Sequence, residues 1–335
     1  MVEMERQGKK DVQLVLIPCP FQGHINPMLQ LGTILYSKGF SVTIAHTEFQ
    51  FPDTSKHPDF MFLRIPNGSW DQPVSSSNFA AFLSCLNINC KAPLQESLTR
   101  KIEEKIGHED VHLCIIYDGL MYFADEVAFE LKLPSIILRT SSATNLLTYL
   151  AYPHKLKEGH FPLEEANALD LVPGLQPLRF KDLPVYKFHL NVDILIEVIG
   201  ATLNLRSSKA IIWNTMDFME QPSLAQLQLQ YKVPVFAIGP MHKLAPTSSG
   251  SLLHEDASCI TWLDMQANNS VIYISLGSIA SMNEKELVEM AWGLANSKQP
   301  FLWVIRSDSS CNSDKPEILP EDYKEIVRQR GSINM

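Results

Sequence analysis

His24 stands in the stretch PCPFQGHINPMLQLGTIL (18–35), behind Gly23 and shortly after the apolar run Val12–Ile17. Asp118 closes a second apolar run, VHLCIIYD (111–118). Taken singly, a histidine in a turn is solvated, and an aspartate at a strand end caps the helix that follows. Taken together they describe a base. A buried carboxylate that accepts one imidazole N–H fixes the tautomer, leaves the other nitrogen able to take a proton, and stabilises the imidazolium that results. No GxSxG elbow or other nucleophile accompanies them, which disfavours a hydrolase triad and points instead to deprotonation of a substrate hydroxyl. No metal site is expected.

Anion-binding residues are harder to find. The chain has no GxGxxG and no GxxxxGK[ST], so the usual dinucleotide and phosphate loops are missing. The remaining candidate is Leu276-Gly277-Ser278, a turn whose backbone N–H groups and Ser278 hydroxyl can face an anion ahead of a helix N-terminus.

The elements that must hold these groups follow from the pattern of apolar residues. Buried strands are expected at 12–17, 40–45, 61–65, 111–118, 135–140, 210–215 and 233–239. Helical patterns lie between them at about 78–105, 123–132 and 192–205. After the first strand, Asn26 and Pro27 read as the N-cap and first turn of a helix that carries Leu31, Ile34 and Leu35 and ends at Gly39. Strand alternating with helix predicts a parallel doubly wound α/β sheet, whose ligands sit beyond the carboxyl ends of the strands. His24 and Asp118 share that edge. Around 244–250 the text becomes small and polar (APTSSG), and the rhythm then restarts with a strand at 271–278, a helix at 283–298 and a strand at 301–306. The expected division is therefore an N-terminal domain over 1–243, a linker over 244–254, and a second, partial α/β domain over 255–335.

Bulk properties narrow the partners. Lys plus Arg number 28 against 37 Asp plus Glu, a net charge of −9 without a basic block, which argues against nucleic acid or an anionic membrane surface. The six cysteines are scattered, as in a reducing compartment. No apolar stretch has the length of a signal peptide or a membrane span, so a cytoplasmic protein is expected, with the Asn67-Gly-Ser and Asn268-Asn-Ser sequons idle.

Four segments carry a resemblance: PCPFQGHINPMLQL, the strand ending in Asp118 with Tyr122 and Phe123 beyond it, WLDMQANNSVIYISLGS (262–278) and QPFLWVIR (299–306). In this order, from about residue 11 to about 331, the chain resembles the plant UDP-sugar-dependent glycosyltransferases. The resemblance implies two facing Rossmann-like domains of the GT-B type. A small hydroxylated, lipophilic acceptor would be held by the first domain and a UDP-sugar, with glucose the expected sugar, mainly by the second. It assigns His24 as base and Asp118 as its partner, Thr140 to the donor sugar, and Gly277 and Ser278 to the diphosphate. Acceptor contacts fall by register on Gly23, Met121, Phe123, Asn145, Tyr149, Ile194, Leu195, Val198 and Ile199; the last four read equally well as ordinary helix core. An inverting transfer with UDP-sugar as co-substrate, no other cofactor, and a monomer when complete are implied. The family continues past the RQRG region with a tryptophan-led strand and a donor-binding signature segment, whereas this chain stops at Ile333-Asn334-Met335. The second domain is therefore expected to be incomplete, its sheet lacking the next strand, its donor binding weak and its transfer undetectable. The alternative is a non-catalytic module that binds a small molecule or a protein.

Overall fold

The computed structural model describes residues 12–70, 74, 78–104, 112–158, 167–183, 192–245, 257–277, 282–305 and, near the end, single positions from 323 to 330 and the strand 331–334. The chain divides into a larger unit, made mostly of residues up to Leu252, and a smaller one from Leu253 onward. Each unit carries its own parallel sheet.

In the larger unit seven strands form: β1 (Val12–Ile17), β2 (Ser41–Thr47), β3 (Met61–Ile65), β4 (His112–Asp118), β5 (Ser135–Arg139), β6 (Ser208–Trp213) and β7 (Val235–Ala237). Their order is β3-β2-β1-β4-β5-β6-β7, and every pairing is parallel. The seven expected strands are thus all present, within a few residues of their expected ends. The chain runs outward from β1 to β3, then returns to lay β4 on the other side of β1. This reversal makes the carboxyl ends of β1 and β4 the topological switch point of the sheet. Ile17 pairs with Tyr117, so Asp118 stands one residue past the last pair of this ladder.

Helix α1 (Gln22–Ser37) follows β1 and begins a turn earlier than the Asn26-Pro27 signal predicts. The Phe21 carbonyl accepts from the amides of His24 and Ile25, both at 2.8 Å, and this starts the helix. Phe21 is anchored by its ring, which packs on Phe79 (5.4 Å between centroids), Phe82 (5.7 Å) and Phe49 (6.1 Å). Pro27 sits inside the helix, where it leaves the Gly23 carbonyl without its usual donor; Gly23 is exposed, which spares that carbonyl full desolvation. His24 therefore belongs to the first helical turn. Ile25, Met28, Leu29 and Leu31 of α1 pack with Leu14 and Leu16 of β1 and Val42 and Ile44 of β2 into one buried cluster. Gly39 (φ 92°) ends the helix in the left-handed region that favours glycine, as expected.

The remaining described helices of this unit include α2 (Phe79–Glu103), α3 (Phe123–Glu130), α4 (Ala143–Lys157), α5 (Val192–Leu203) and α6 (Asp217–Gln230). No described helix is long and apolar enough to cross a membrane. Helix α6 kinks at Glu220 (φ −126°, ψ 17°), and the kink aims this carboxylate at the N-terminus of α4. Its oxygens accept from the amides of Ala143 and Thr144, both at 3.1 Å, and from the Thr215 hydroxyl at 2.6 Å. An anion at this end also complements the helix dipole. Two further ties hold the same loop: Trp213 Nε1 donates to the Ser141 carbonyl at 2.7 Å, and the Asn214 amide donates to the Arg139 carbonyl at 2.9 Å. The short connection 140–142 between β5 and α4 is thereby fixed from β6 and α6.

The smaller unit contains α7 (Ser258–Asp264), β8 (Ile272–Ser275), α8 (Glu284–Ser297), β9 (Phe301–Val304) and β10 (Gly331–Asn334). The order β10-β9-β8, all parallel, corrects the expectation that the next strand is missing. The residues GSIN supply it. Gly331 is required there, because a Cβ would lie 2.6 Å from the Phe301 ring. Helix α8 has a capping box, Asn283 with Glu286, and its apolar face (Leu287, Ala291, Leu294, Ala295) covers Phe301 and Trp303 together with Tyr323. The linker positions 246–254 lie outside the described residues.

Glu220→Ala is expected to speed amide hydrogen exchange at Ala143 and Thr144 and to reduce stability in urea by about 1–3 kcal/mol, as for other orphaned buried donors. Burial alone would raise the Glu220 pKa, but hydrogen bonds from Thr215, the Ala143 and Thr144 amides and Ser142 outweigh it and hold the carboxyl below its ordinary value. A lowered folded pKa stabilises above the unfolded value and loses that contribution as pH falls through the folded one. The gap between wild type and Glu220→Gln should therefore narrow on acidification; a gap independent of pH would contradict this role. Gly331→Ala should destabilise the smaller unit and speed amide hydrogen exchange in β9 and β10; exchange unchanged from wild type would contradict the close approach of β10 to Phe301.

Candidate active site

At the switch point, the site is built around a carboxylate that has almost no access to water. Asp118 is 1% exposed, and each of its oxygens has a donor. Oδ1 accepts the Leu120 amide at 2.9 Å, and Oδ2 accepts from His24 Nδ1 at 2.8 Å. The loop beyond Asp118 is held in turn. Asn87 of α2 donates to the Leu120 carbonyl at 2.9 Å and accepts the Phe123 amide at 3.0 Å, while the Gly119 amide donates to the Leu138 carbonyl at 3.0 Å. Gly119 has no room for a side chain, since a Cβ there would lie 2.5 Å from the Nη1 of buried Arg139.

His24 is the exposed member of the pair, with 22% of its side chain accessible against 2% for Asp118. Nδ1 faces both Asp118 and the Thr140 hydroxyl, which lies at 3.0 Å. A carboxylate accepts and cannot donate, so this contact assigns the proton of the neutral ring to Nδ1 and leaves Nε2 as the acceptor. Burial by itself pushes the imidazole pKa down. The charge of Asp118 and its hydrogen bond more than reverse that, and the net direction is up from the ordinary histidine value. The pair is thus an oriented imidazole whose basicity is strengthened by a fixed anion.

The other expected positions are distributed as follows. Thr140 follows β5 and lies against His24. Gly23 is exposed in the first turn of α1, with open space where a Cβ would stand. Met121 and Phe123 are buried just past Asp118. Asn145 and Tyr149 are half-buried on α4. On α5, Leu195 and Ile199 pack with Tyr152, Val172, Phe180 and Leu183, with Tyr149 at the edge of that cluster; Val198 is buried and Ile194 half-buried. In the smaller unit Gly277 turns away from β8 with φ 70°, its amide facing Ser275 Oγ at 3.4 Å. Ser278 lies outside the described residues. The segment HEDVH (108–112) has the spacing of a helical zinc motif; His112 opens β4, and residues 108–111 lie outside the described residues.

Sequence reasoning did not single out Asn87, Arg139 or Glu220. Each acts across 30 or more residues of chain on backbone groups that carry no mark in the sequence: Asn87 on Leu120 and Phe123, Arg139 on the Thr202 carbonyl, and Glu220 on the Ala143 and Thr144 amides. For Asn87 and Arg139 the available signal was a polar residue within an otherwise apolar helix or strand; Glu220, in the polar helix α6, carried none.

Residues 217–324 match the family model described as UDP-glucoronosyl and UDP-glucosyl transferase. UDP-glycosyltransferase 76E1 of Solanum lycopersicum is 47% identical over 98% of this chain and 68% of its own length. UDP-glycosyltransferase 76B1 of Arabidopsis thaliana is 42% identical over 98% of this chain and 72% of its own length. Among solved structures, Medicago truncatula UGT71G1 complexed with UDP-glucose superposes with a TM-score of 0.68 at 21% identity, covering 97% of this chain and 72% of that one. A Polygonum tinctorium UDP-glucosyltransferase solved with 3,4-dichloroaniline gives a TM-score of 0.69 at 21% identity, covering 96% of this chain and 70% of that one. At those identities the superpositions speak for the GT-B fold; the plant relatives speak for descent, and the chain belongs to the UDP-glycosyltransferase family.

Proposed function

We propose that this chain carries the base and the acceptor-binding residues of an inverting transferase that moves a sugar from a UDP-sugar to a hydroxyl of a small lipophilic plant metabolite. The observation that carries the reading is the 2.8 Å contact between His24 Nδ1 and buried Asp118, which leaves Nε2 free to accept a proton on a side chain that is itself partly accessible. In the step envisaged, Nε2 takes the proton of the acceptor hydroxyl as its oxygen attacks the anomeric carbon. The new C–O bond forms while the bond from that carbon to the diphosphate breaks, and UDP leaves with the electron pair. Attack opposite the leaving group inverts the carbon. The proton ends on an imidazolium that Asp118 stabilises.

UDP-glucose is the donor to test first, because the Medicago truncatula chain was solved with it. Thr140 and the Gly277-Ser278 turn are the proposed contacts to sugar and diphosphate. Met121, Phe123, Tyr149 and the α5 residues Ile194, Leu195, Val198 and Ile199 are the proposed acceptor lining, apolar and without Lys or Arg, with Gly23 and Asn145 its proposed polar members. That lining favours phenolic or terpenoid hydroxyls over polyanions.

The test is sugar transfer by the chain extended to the length of its relatives. His24→Ala should lower turnover by about 10²–10⁴-fold, the range of a general base; near-normal turnover would remove the assignment. Asp118→Asn should lower turnover with acceptor affinity nearly unchanged. Because Asp118 raises the His24 pKa and the base works when neutral, the acid limb of the rate profile should also move to lower pH in that variant. A limb that stays in place would contradict the coupling. In an acceptor screen, preference for sugar phosphates over hydroxylated phenolics and terpenoids would sink the lipophilic assignment.

A further inference from the structure

Cys19 lies between β1 and α1, buried and outside any disulfide. Its Sγ, a ring nitrogen of His24 and a carboxylate oxygen of Asp118 all lie within 4.8 Å of one another. Among the described residues this is the one group of three or more such side chains close enough to hold an ion. A thiolate, an imidazole and a carboxylate form a donor set suited to Zn²⁺, which takes three protein ligands and a water in open sites. Tetrahedral ligation places donor atoms roughly 3.3–3.7 Å apart, given bond lengths of about 2.0–2.3 Å. The 2.8 Å contact between Nδ1 and Oδ2 has to open by less than 1 Å to reach that spacing.

We infer that Cys19, His24 and Asp118 form a site for a thiophilic divalent cation, Zn²⁺ the natural example, and that its occupancy disables His24 as a base.

The charge balance favours the ion. With thiol, neutral imidazole and carboxylate, the buried group carries one negative charge. With thiolate, neutral imidazole, carboxylate and a divalent cation it carries none, which relieves the desolvated Asp118. Burial and the charge of Asp118 hold the Cys19 thiol protonated well above its ordinary range, and the cation opposes that field. The protons are accounted for as follows. The Sγ–H bond breaks and its proton goes to solvent as Sγ binds the metal. The Nδ1 proton also leaves, the metal takes its place, and Nε2 binds a proton from water. The ring stays neutral, but Nε2 is now a donor and cannot accept a proton from a hydroxyl. Entry is by way of His24, the accessible member. The sequence hides this site because Cys19 and His24 are five residues apart without a metal-type spacing, and Asp118 arrives through the β1–β4 pairing.

The inhibitory consequence rests on the proposed role of His24, but the binding does not, and the test reads binding. The metal-free chain is titrated with Cd²⁺, and the thiolate-to-metal charge-transfer band is followed in the ultraviolet. Wild type should develop a band saturating at one equivalent, and Cys19→Ser should lose it. Cys259→Ser, in the smaller unit, should keep it. Asp118→Asn should weaken the affinity by at least about tenfold, since even outer-shell partners cost that much. Circular dichroism on Cys19→Ser checks its fold, and Cys19→Ala serves if the serine variant is unfolded. A full band in both Cys19 variants, or none in wild type at millimolar Cd²⁺, would overturn the site. With binding established, Zn²⁺ should inhibit transfer by the extended chain and spare a Cys19→Ala form; transfer that never appears under any condition would count against the glycosyltransferase reading alone.

Discussion

A carboxylate that is 1% exposed cannot stay charged without donors, and the structure gives Asp118 two: the Leu120 amide and His24 Nδ1. Much of the site's geometry follows from satisfying that buried charge. The Leu120 amide reaches Oδ1 only if the loop after β4 turns sharply, and Asn87 holds that turn from α2. The imidazole reaches Oδ2 only if α1 starts at Gln22, which the Phe21 aromatic packing secures. A desolvated anion with one amide and one imidazole is stable and oriented, and it leaves a single lone pair, on Nε2, directed away from it.

The sheet supplies the distance. His24 and Asp118 are 94 residues apart, and only the reversal of strand order at β1 and β4 puts them together. Thr140, from the next strand along, completes the surround of Nδ1. Its position is set in turn by ties from β6 and α6 to the 139–144 segment, with Glu220 the anion that meets the α4 N-terminus. Stability and site geometry are therefore the same set of bonds in this half of the molecule.

What the sequence made legible and what it hid separate along physical lines. The central strands of the larger sheet could be read because both of their faces are covered, which requires continuous β-branched and aliphatic runs such as VQLVLI and VHLCIIYD; the edge strands β3 and β7 are partly exposed and were read from short apolar runs alone. The His24–Asp118 pair was readable as two ionisable groups at strand ends. The start of α1 was not, since Asn26-Pro27 is a strong local cap signal and the deciding contact is tertiary, the burial of Phe21. β10 was missed because GSIN has a single β-branched residue; it pairs through its backbone, and what matters is the glycine that lets it approach Phe301. Glu220, Asn87 and Arg139 were invisible for the same reason, acting on backbone groups far along the chain.

The central claim is that Asp118 holds neutral His24 in the tautomer with its proton on Nδ1. Long-range proton–nitrogen NMR correlation on ¹⁵N-histidine-labelled, metal-free chain reads this directly, at a pH above the His24 titration. The account predicts a protonated Nδ1 and an unprotonated Nε2 for His24 in the wild type, with that preference lost in Asp118→Asn. A wild-type ring with its proton on Nε2 would contradict it.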